Sequence, residues 1–133
     1  MNLLILVVDD EPDVELLFRQ QFRHDIRTGR FTMEFAQSAP AALERIADAE
    51  GVLIILILSD INMPHMDGYQ LCKMIRGNSV TRSVPVIMLS GKDGIFDKLR
   101  GRMVGATAYI TKPFEIDSLL QLIDMHCQQA QRV

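Results

Sequence analysis

The stretch "VLIILILSD" (residues 52–60) is one of the most apolar runs of the chain, and it ends on an acid, Asp60. Leucine and β-branched side chains without polar interruption are typical of a strand buried on both faces, at the centre of a parallel sheet. We place this strand at 52–58. A carboxylate at the mouth of such a strand is costly to desolvate unless a cation meets it. The rest of the sequence must therefore supply a cationic partner for Asp60.

Four further strand-like segments alternate with segments of helical period along the chain. Pro12 suits the first turn of the first helix, with Asp10 or Glu11 available near its cap. The remaining strands are predicted at 3–8, 31–36, 84–90 and 107–111. The helices are predicted from Pro12 to near Gly29 and at 39–49, 68–76, 92–104 and 115–128.

Five strands alternating with five helices predict an α/β fold with a parallel sheet covered on both faces. Right-handed crossovers reduce the possible topologies to a doubly wound fold. Among its common forms, a flavodoxin-like (βα)5 sheet with the strand order 2-1-3-4-5 fits best. We expect residues 1–133 to form one domain.

Composition agrees with a globular domain of ordinary size. The 133 residues are 48% apolar and 23% charged, and the net charge of −3 gives no reason to expect direct nucleic-acid binding. The start "MNLLILVVDDE" (1–11) is too short for a membrane span and lacks the basic region of a signal peptide, so a cytoplasmic protein without membrane contact is expected. Cys72 and Cys127 lack metal-ligand spacing and are expected to be small core residues.

Polar residues stand where the predicted strands end. Asp9 and Asp10 follow the first strand, Asp60 follows the third, Ser90 ends the fourth and Lys112 follows the fifth. Ligands of doubly wound folds bind at this edge of the sheet. Three carboxylates so close together repel each other, and Mg²⁺, which prefers oxygen ligands, would relieve that repulsion. Taken singly, these residues have ordinary explanations as a helix cap, a turn, a loop hydroxyl and a surface lysine; together they predict a site for Mg²⁺ and a phosphate.

Four motifs in this order carry a specific resemblance: "VVDDEP" (7–12), "LSDINMPHMDG" (58–68), "PVIMLSG" (85–91) and "GATAYITKPF" (105–114). The chain resembles a response-regulator receiver domain of the CheY-like kind, from two-component signalling. The resemblance covers essentially all 133 residues. Each motif alone is weak, and the ordered set is specific.

The resemblance implies a metal site and an acceptor. Asp60 matches the phosphoacceptor aspartate, and Asp10 matches the direct Mg²⁺ ligand. Asp9 matches an acid that acts mainly through water on the metal. Asn62 stands where a backbone carbonyl of the family binds the metal.

The resemblance also implies a switch. Ser90 matches the hydroxyl that moves to the phosphoryl group, Tyr109 the aromatic rotamer switch, and Lys112 the lysine that contacts a phosphoryl oxygen. The implied function is Mg²⁺-dependent transfer of a phosphoryl group to Asp60 from the phosphohistidine of a sensor histidine kinase or from a phosphotransfer protein. Transfer would switch the face formed by the fourth helix, fifth strand and fifth helix toward a downstream effector domain or protein, or toward a phosphorylation-dependent dimer. Such a receiver catalyses its own phosphorylation and dephosphorylation without being a dedicated enzyme.

Two features depart from the usual pattern of the family. Gly91 follows Ser90 where many members carry alanine, and "FRHDIRTGRF" (22–31) makes the first helix and its loop longer than in a minimal receiver. Lys98, Arg100 and Arg102 make the predicted helix 92–104 basic, as a docking surface or simply as a solvated face.

Other classes fit the sequence less well. A phosphatase of the haloacid-dehalogenase kind resembles D-x-D-x-T at its nucleophile, whereas residues 60–64 read "DINMP". A nucleotide-binding flavodoxin-like protein would need a phosphate loop after the first strand, where "DDEP" (9–12) is acidic. A degenerate receiver that only binds proteins would lack the acceptor residues, which are all present here. The sequence leaves open whether the chain acts alone or within a larger protein.

Overall fold

One parallel sheet organises the chain. The structure is a computed structural model that describes residues 2–48, 52–63, 66–90, 102–111 and 115–131. All of its strand pairs are parallel, in the order β2-β1-β3-β4-β5, which confirms the predicted 2-1-3-4-5 sheet. The strands are β1 (Asn2–Val8), β2 (Thr32–Ala36), β3 (Val52–Asp60), β4 (Val86–Ser90) and β5 (Ala108–Thr111).

The three central strands are the most apolar, because helices cover both faces of the sheet. In β1 the side chains from Leu4 to Val8 are fully buried, and β3 buries Leu56, Ile57 and Leu58 completely. The prediction that residues 52–58 form the central strand is confirmed, and β3 extends two residues further, to Asp60. The acid is therefore part of the strand.

Five helices lie within the described residues. They are α1 (Pro12–Gln21), α2 (Arg23–Arg27), α3 (Ala39–Ala47), α4 (Gly68–Gly77) and α5 (Ile116–Gln131). Most of the predicted helix 92–104 falls outside the described residues; Arg102 and Met103 are helical. The chain then turns at Gly105, whose φ of 88° suits glycine, as expected for the end of that helix.

The first helical region differs from the prediction of one helix from Pro12 to near Gly29. The chain leaves the helix at Phe22, with φ −106° and ψ 17°, and α2 follows. Phe22 is fully buried, and its ring packs edge-on against Phe18 at 5.9 Å and Phe31 at 6.3 Å between centroids. This packing explains the break. The stop near Gly29 is confirmed, with φ 78° at that glycine.

The start of α1 also differs from expectation. Glu11 is its N-cap residue, but the Glu11 side chain makes no capping hydrogen bond. The Asp9 carboxylate instead accepts a hydrogen bond from the Glu11 backbone N–H at 2.9 Å. The acid is thus used to hold the loop after β1.

The sheet divides the core into two clusters. The α1–α5 cluster lies on one face and includes Val14, Phe18, Phe22, Leu119 and Ile123. The α3–α4 cluster lies on the other face and includes Ala39, Ala42, Leu71, Cys72 and Ile75. Cys127 belongs to the first cluster, and both cysteines are buried and free, which confirms their prediction as core residues. Burial raises the pKa of both thiols.

Candidate functional site

Three aspartates meet at the carboxyl edge of the sheet. Asp9 directly follows β1, where its N–H donates to the Ala36 carbonyl at 3.0 Å, and Asp60 ends β3. One carboxylate oxygen from each of Asp9, Asp10 and Asp60 lies within 4.8 Å of the other two. The predicted gathering of these three acids is therefore seen in the structure.

The donor chemistry of this cluster suits a hard divalent cation. Asp9 is 6% exposed and Asp60 is 5% exposed, whereas Asp10 is open to solvent. Buried carboxylates this close together repel each other in a medium that screens charge poorly, and a cation among them would relieve that repulsion. Three oxygen donors with one open side fit Mg²⁺, which keeps several waters in its coordination shell. The three aspartates could hold such an ion.

The loop after Asp60 is fixed by its backbone. The Ile61 N–H donates to the Leu89 carbonyl at 3.1 Å, and the Ile61 carbonyl accepts from the Gly68 N–H at 2.9 Å. A Cβ on Gly68 would overlap the carbonyl oxygen of Asp60 and lie 3.0 Å from Cα of Ile61. Only glycine allows this approach, which brings the start of α4 against the backbone that carries Asp60.

The first turn of α4 is also stabilised by a capping box. The Asp67 carboxylate accepts from the Gln70 N–H at 2.9 Å, and the Gln70 side chain accepts from the Asp67 N–H at 3.0 Å. Two of the backbone N–H groups that a helix start leaves without a partner are satisfied in this way. The loop between β3 and α4 is thus held at both ends.

The predicted switch residues lie on β4, which pairs with β3, and on β5, which pairs with β4. Asp60 is the register partner of Leu89, so Ser90 stands one residue beyond the acceptor on β4, and its side chain is 1% exposed. Tyr109 is the register partner of Met88 and packs, half-buried, against the α3–α4 cluster. Ser90 therefore lies at the same edge of the sheet as the aspartates. Tyr109 lies two residues further from that edge than Thr111, the register partner of Ser90.

Several predicted residues are not located by the structure. Lys112 follows Thr111, the register partner of Ser90, but lies outside the described residues, as do Gly91, Lys98 and Arg100. Asn62 is exposed in the loop two residues after Asp60. The structure thus places the three aspartates and Ser90 at one edge of the sheet, and the role of Lys112 stays a prediction.

Two contacts, one at each end of α4, could not be predicted from the sequence. The pair Asp67-Gly68 suggests a turn, but nothing in it signals contact with the carbonyl of Asp60. Arg76, at the end of α4, donates to the carbonyls of Gly105 and Val84. An arginine in the last turn of a helix is usually taken to be solvated, so no signal in the sequence identifies it.

Comparison with known proteins agrees with this geometry. Residues 5–124 match the response regulator receiver domain family. Protein PilG of Pseudomonas aeruginosa is 52% identical over 85 residues, which are 64% of this chain and 61% of PilG. Response regulator MprA of Mycobacterium tuberculosis is 31% identical over 120 residues, 90% of this chain and 48% of MprA. The solved structure of chemotaxis protein CheY4 of Vibrio cholerae aligns with a TM-score of 0.81 at 28% identity, over 94% of this chain and 98% of CheY4.

The match with these curated relatives covers less than two thirds of their own length. In the part of the chain that the structure describes, no helix combines the length and apolar character needed to cross a membrane. The family match covers most of the sequence, and the strand order and the cluster of Asp9, Asp10 and Asp60 agree with it. The chain therefore belongs to the response regulator receiver domains, the CheY-like receivers of two-component systems.

Proposed function

We propose that this receiver accepts a phosphoryl group on Asp60 in a Mg²⁺-dependent reaction, from the phosphohistidine of a sensor histidine kinase or from a phosphotransfer protein. The observation that carries the proposal is the approach of the three carboxylates to within 4.8 Å, with Asp60 itself 5% exposed. Asp9, Asp10 and Asp60, with the carbonyl of Asn62, are the proposed metal ligands. When bound there, Mg²⁺ supplies positive charge against the carboxylates and the phosphoryl oxygens.

The reaction forms an acyl phosphate. A carboxylate oxygen of Asp60 attacks phosphorus, the bond from phosphorus to the imidazole nitrogen of the donor breaks, and its electron pair stays on that nitrogen. Lys112 contacts a phosphoryl oxygen as a compact positive charge. The hydrogen bonds of Ile61 hold the backbone next to Asp60 in place, so the nucleophile is oriented before the donor arrives.

Phosphorylation then acts as a switch. Ser90 moves toward the phosphoryl group by hydrogen bonding, and Tyr109 turns inward, which changes the face built from the helix at 92–104, β5 and α5. A downstream effector domain or protein reads this face, or a second copy docks there as a phosphorylation-dependent dimer. In this proposal residues 1–133 form one domain that acts in the cytoplasm and catalyses its own phosphorylation and dephosphorylation.

Acetyl phosphate and Mg²⁺ test the acceptor directly. We expect the wild-type protein to gain one phosphoryl group in intact-mass measurements and Asp60→Asn to gain none, because the amide is not a nucleophile. Asp13→Asn is the matched control, since Asp13 is an exposed acid in the first turn of α1, and it should be modified like the wild type. Equal labelling of Asp60→Asn would overturn the proposal.

A further inference from the structure

Arg76 makes an unusually complete set of hydrogen bonds for a residue in the last turn of a helix. Its Nε donates to the Gly105 carbonyl at 2.8 Å, and one terminal nitrogen donates to the Val84 carbonyl at 2.6 Å. The other terminal nitrogen donates to the Thr107 hydroxyl at 3.3 Å. The planar guanidinium suits this three-way contact in a way that lysine does not.

These acceptors lie where two strands begin. Val84 stands two residues before β4, and Thr107 directly precedes β5. Thr107 in turn joins the two strands, because its hydroxyl accepts from the Val86 N–H at 3.0 Å and its own N–H donates to the Val86 carbonyl at 2.7 Å. Arg76 therefore fixes the entry of β4, which carries Ser90, and the entry of β5, which carries Tyr109.

The segment 104–107 is shaped to fit α4. A Cβ on Gly105 would lie 3.1 Å from both Cγ and Nε of Arg76, and its φ of 88° already favours glycine. One helical turn before Arg76, the Cys72 thiol donates to the Val104 carbonyl at 3.5 Å. Two side chains of α4, one turn apart, thus hold the same segment.

The opposite end of α4 touches the acceptor. Gly68 begins the helix against the carbonyl of Asp60, as described above. The helix has 10 residues, which corresponds to a length of about 15 Å. A short rigid element therefore connects the backbone that carries Asp60 to the starts of the two strands that carry the switch residues.

From these contacts we propose that Arg76 is a positioning residue for the switch: it holds the start of β5 in one place relative to Asp60, so that modification of Asp60 gives Tyr109 a defined change of position. The inference rests on the proposed function of Asp60 and extends it to a residue outside the acceptor site. Without the guanidinium, the segment 104–107 loses two hydrogen bonds and the Val84 carbonyl loses a third, and Tyr109 samples its positions with less dependence on Asp60.

Fluorine NMR of protein labelled with 3-fluorotyrosine tests this proposal. The chain has two tyrosines, Tyr69 and Tyr109, and a Tyr69→Phe variant assigns the signals. Spectra are recorded for the protein alone, with saturating beryllofluoride and Mg²⁺, and with acetyl phosphate and Mg²⁺. Intact-mass measurements follow how much of the protein acetyl phosphate has modified. The measured quantity is the difference in fluorine chemical shift of the Tyr109 signal between the unmodified and the fully modified protein.

We expect this difference to fall at least twofold in Arg76→Met, while modification still reaches completion. Lys73→Met is the matched control, because it removes an exposed positive charge from the same helix, and it should keep the full difference. Arg76→Lys should recover part of it. A purely structural role would lower the melting temperature of Arg76→Met and leave the Tyr109 difference unchanged, which would overturn the proposal.

The experiment distinguishes a failure of the proposed function from a failure of the proposed role of Arg76. A wild-type protein that is not modified at Asp60 would overturn the proposed function itself, whereas a modified wild type with a full response in Arg76→Met would overturn only the role of Arg76. If Arg76→Met does not fold, Arg76→Lys and Thr107→Val carry the test, because Thr107→Val removes an acceptor without changing α4. A full Tyr109 difference in both would overturn the inference.

Discussion

A single glycine sets how closely α4 approaches the acceptor. Gly68 is buried, its N–H donates to the Ile61 carbonyl at 2.9 Å, and a side chain there would overlap the carbonyl of Asp60. The geometry of the site therefore depends on the missing side chain of Gly68 as well as on the carboxylates. A methyl group here acts directly on the backbone of the nucleophile.

We expect Gly68→Ala to lower the free energy of unfolding by about 1–3 kcal/mol, the usual cost of overpacking, and to slow phosphorylation by acetyl phosphate. Gly77→Ala is the control, because its Cβ meets nothing within 4 Å and alanine is the better helix former. It should leave the phosphorylation rate unchanged and the stability equal or higher. Urea unfolding and intact-mass kinetics give both values, and equal behaviour of the two variants would contradict the role of Gly68.

At the scale of elements, one ion pair ties the edge strand β2 to α3. The Arg45 guanidinium donates through Nε and one terminal nitrogen to the two carboxylate oxygens of Glu34, each at 2.7 Å. These hydrogen bonds lower the pKa of Glu34 and raise the pKa of Arg45. Both side chains are partly open to solvent, at 37% and 27% exposure, so screening keeps the contribution small.

The pKa of Glu34 gives a pH-dependent prediction. Because its folded-state pKa lies below the ordinary glutamate value of 4.5, the stabilisation is present above that value and is lost as the pH falls through the folded-state pKa. We expect Glu34→Gln to lower the free energy of unfolding by about 0.5–1 kcal/mol at neutral pH, and by less at acidic pH. Glu44→Gln, at an exposed position of α3, should show no such loss. A loss for Glu34→Gln that is independent of pH would contradict the ion pair.

The elements predicted well are those whose signal is local. Apolar runs predicted β1, β3 and β4, and the ends of those strands placed Asp9, Asp10, Asp60 and Ser90 at one edge. The break at Phe22 could not be predicted, since Phe22 fits the helical period and leaves it because of Phe31, a partner from another segment. The contacts of Arg76 could not be predicted for the same reason, because its acceptors lie up to 31 residues away in the sequence.

At the scale of the whole molecule, the aspartate cluster lowers stability unless its charge is balanced. Two of its three carboxylates are buried beside each other, and the molecule as a whole is already negative at −3. A ligand that binds only the folded state raises its stability by mass action. Metal binding and global stability are therefore coupled in this proposal.

We expect Asp10→Asn to raise the melting temperature in the absence of divalent cations, because it relieves repulsion within the cluster. With Mg²⁺ the order should reverse, since the wild type gains stability and the variant, which lacks a ligand charge, gains less. Asp13→Asn should respond to Mg²⁺ like the wild type. Thermal unfolding with and without Mg²⁺ measures these differences, and an equal gain in all three proteins would contradict a metal site at Asp10.

The division of the core by the sheet has a consequence for how sequences of this kind diverge. A change of volume at Phe18 is compensated by the side chains that touch it, and those lie in the α1–α5 cluster. The residues packed against Tyr109 belong to the α3–α4 cluster, behind a layer of backbone. Compensating substitutions among relatives should therefore pair within each cluster and seldom across the sheet. One half of the interior can therefore change while the packing of the other half is kept.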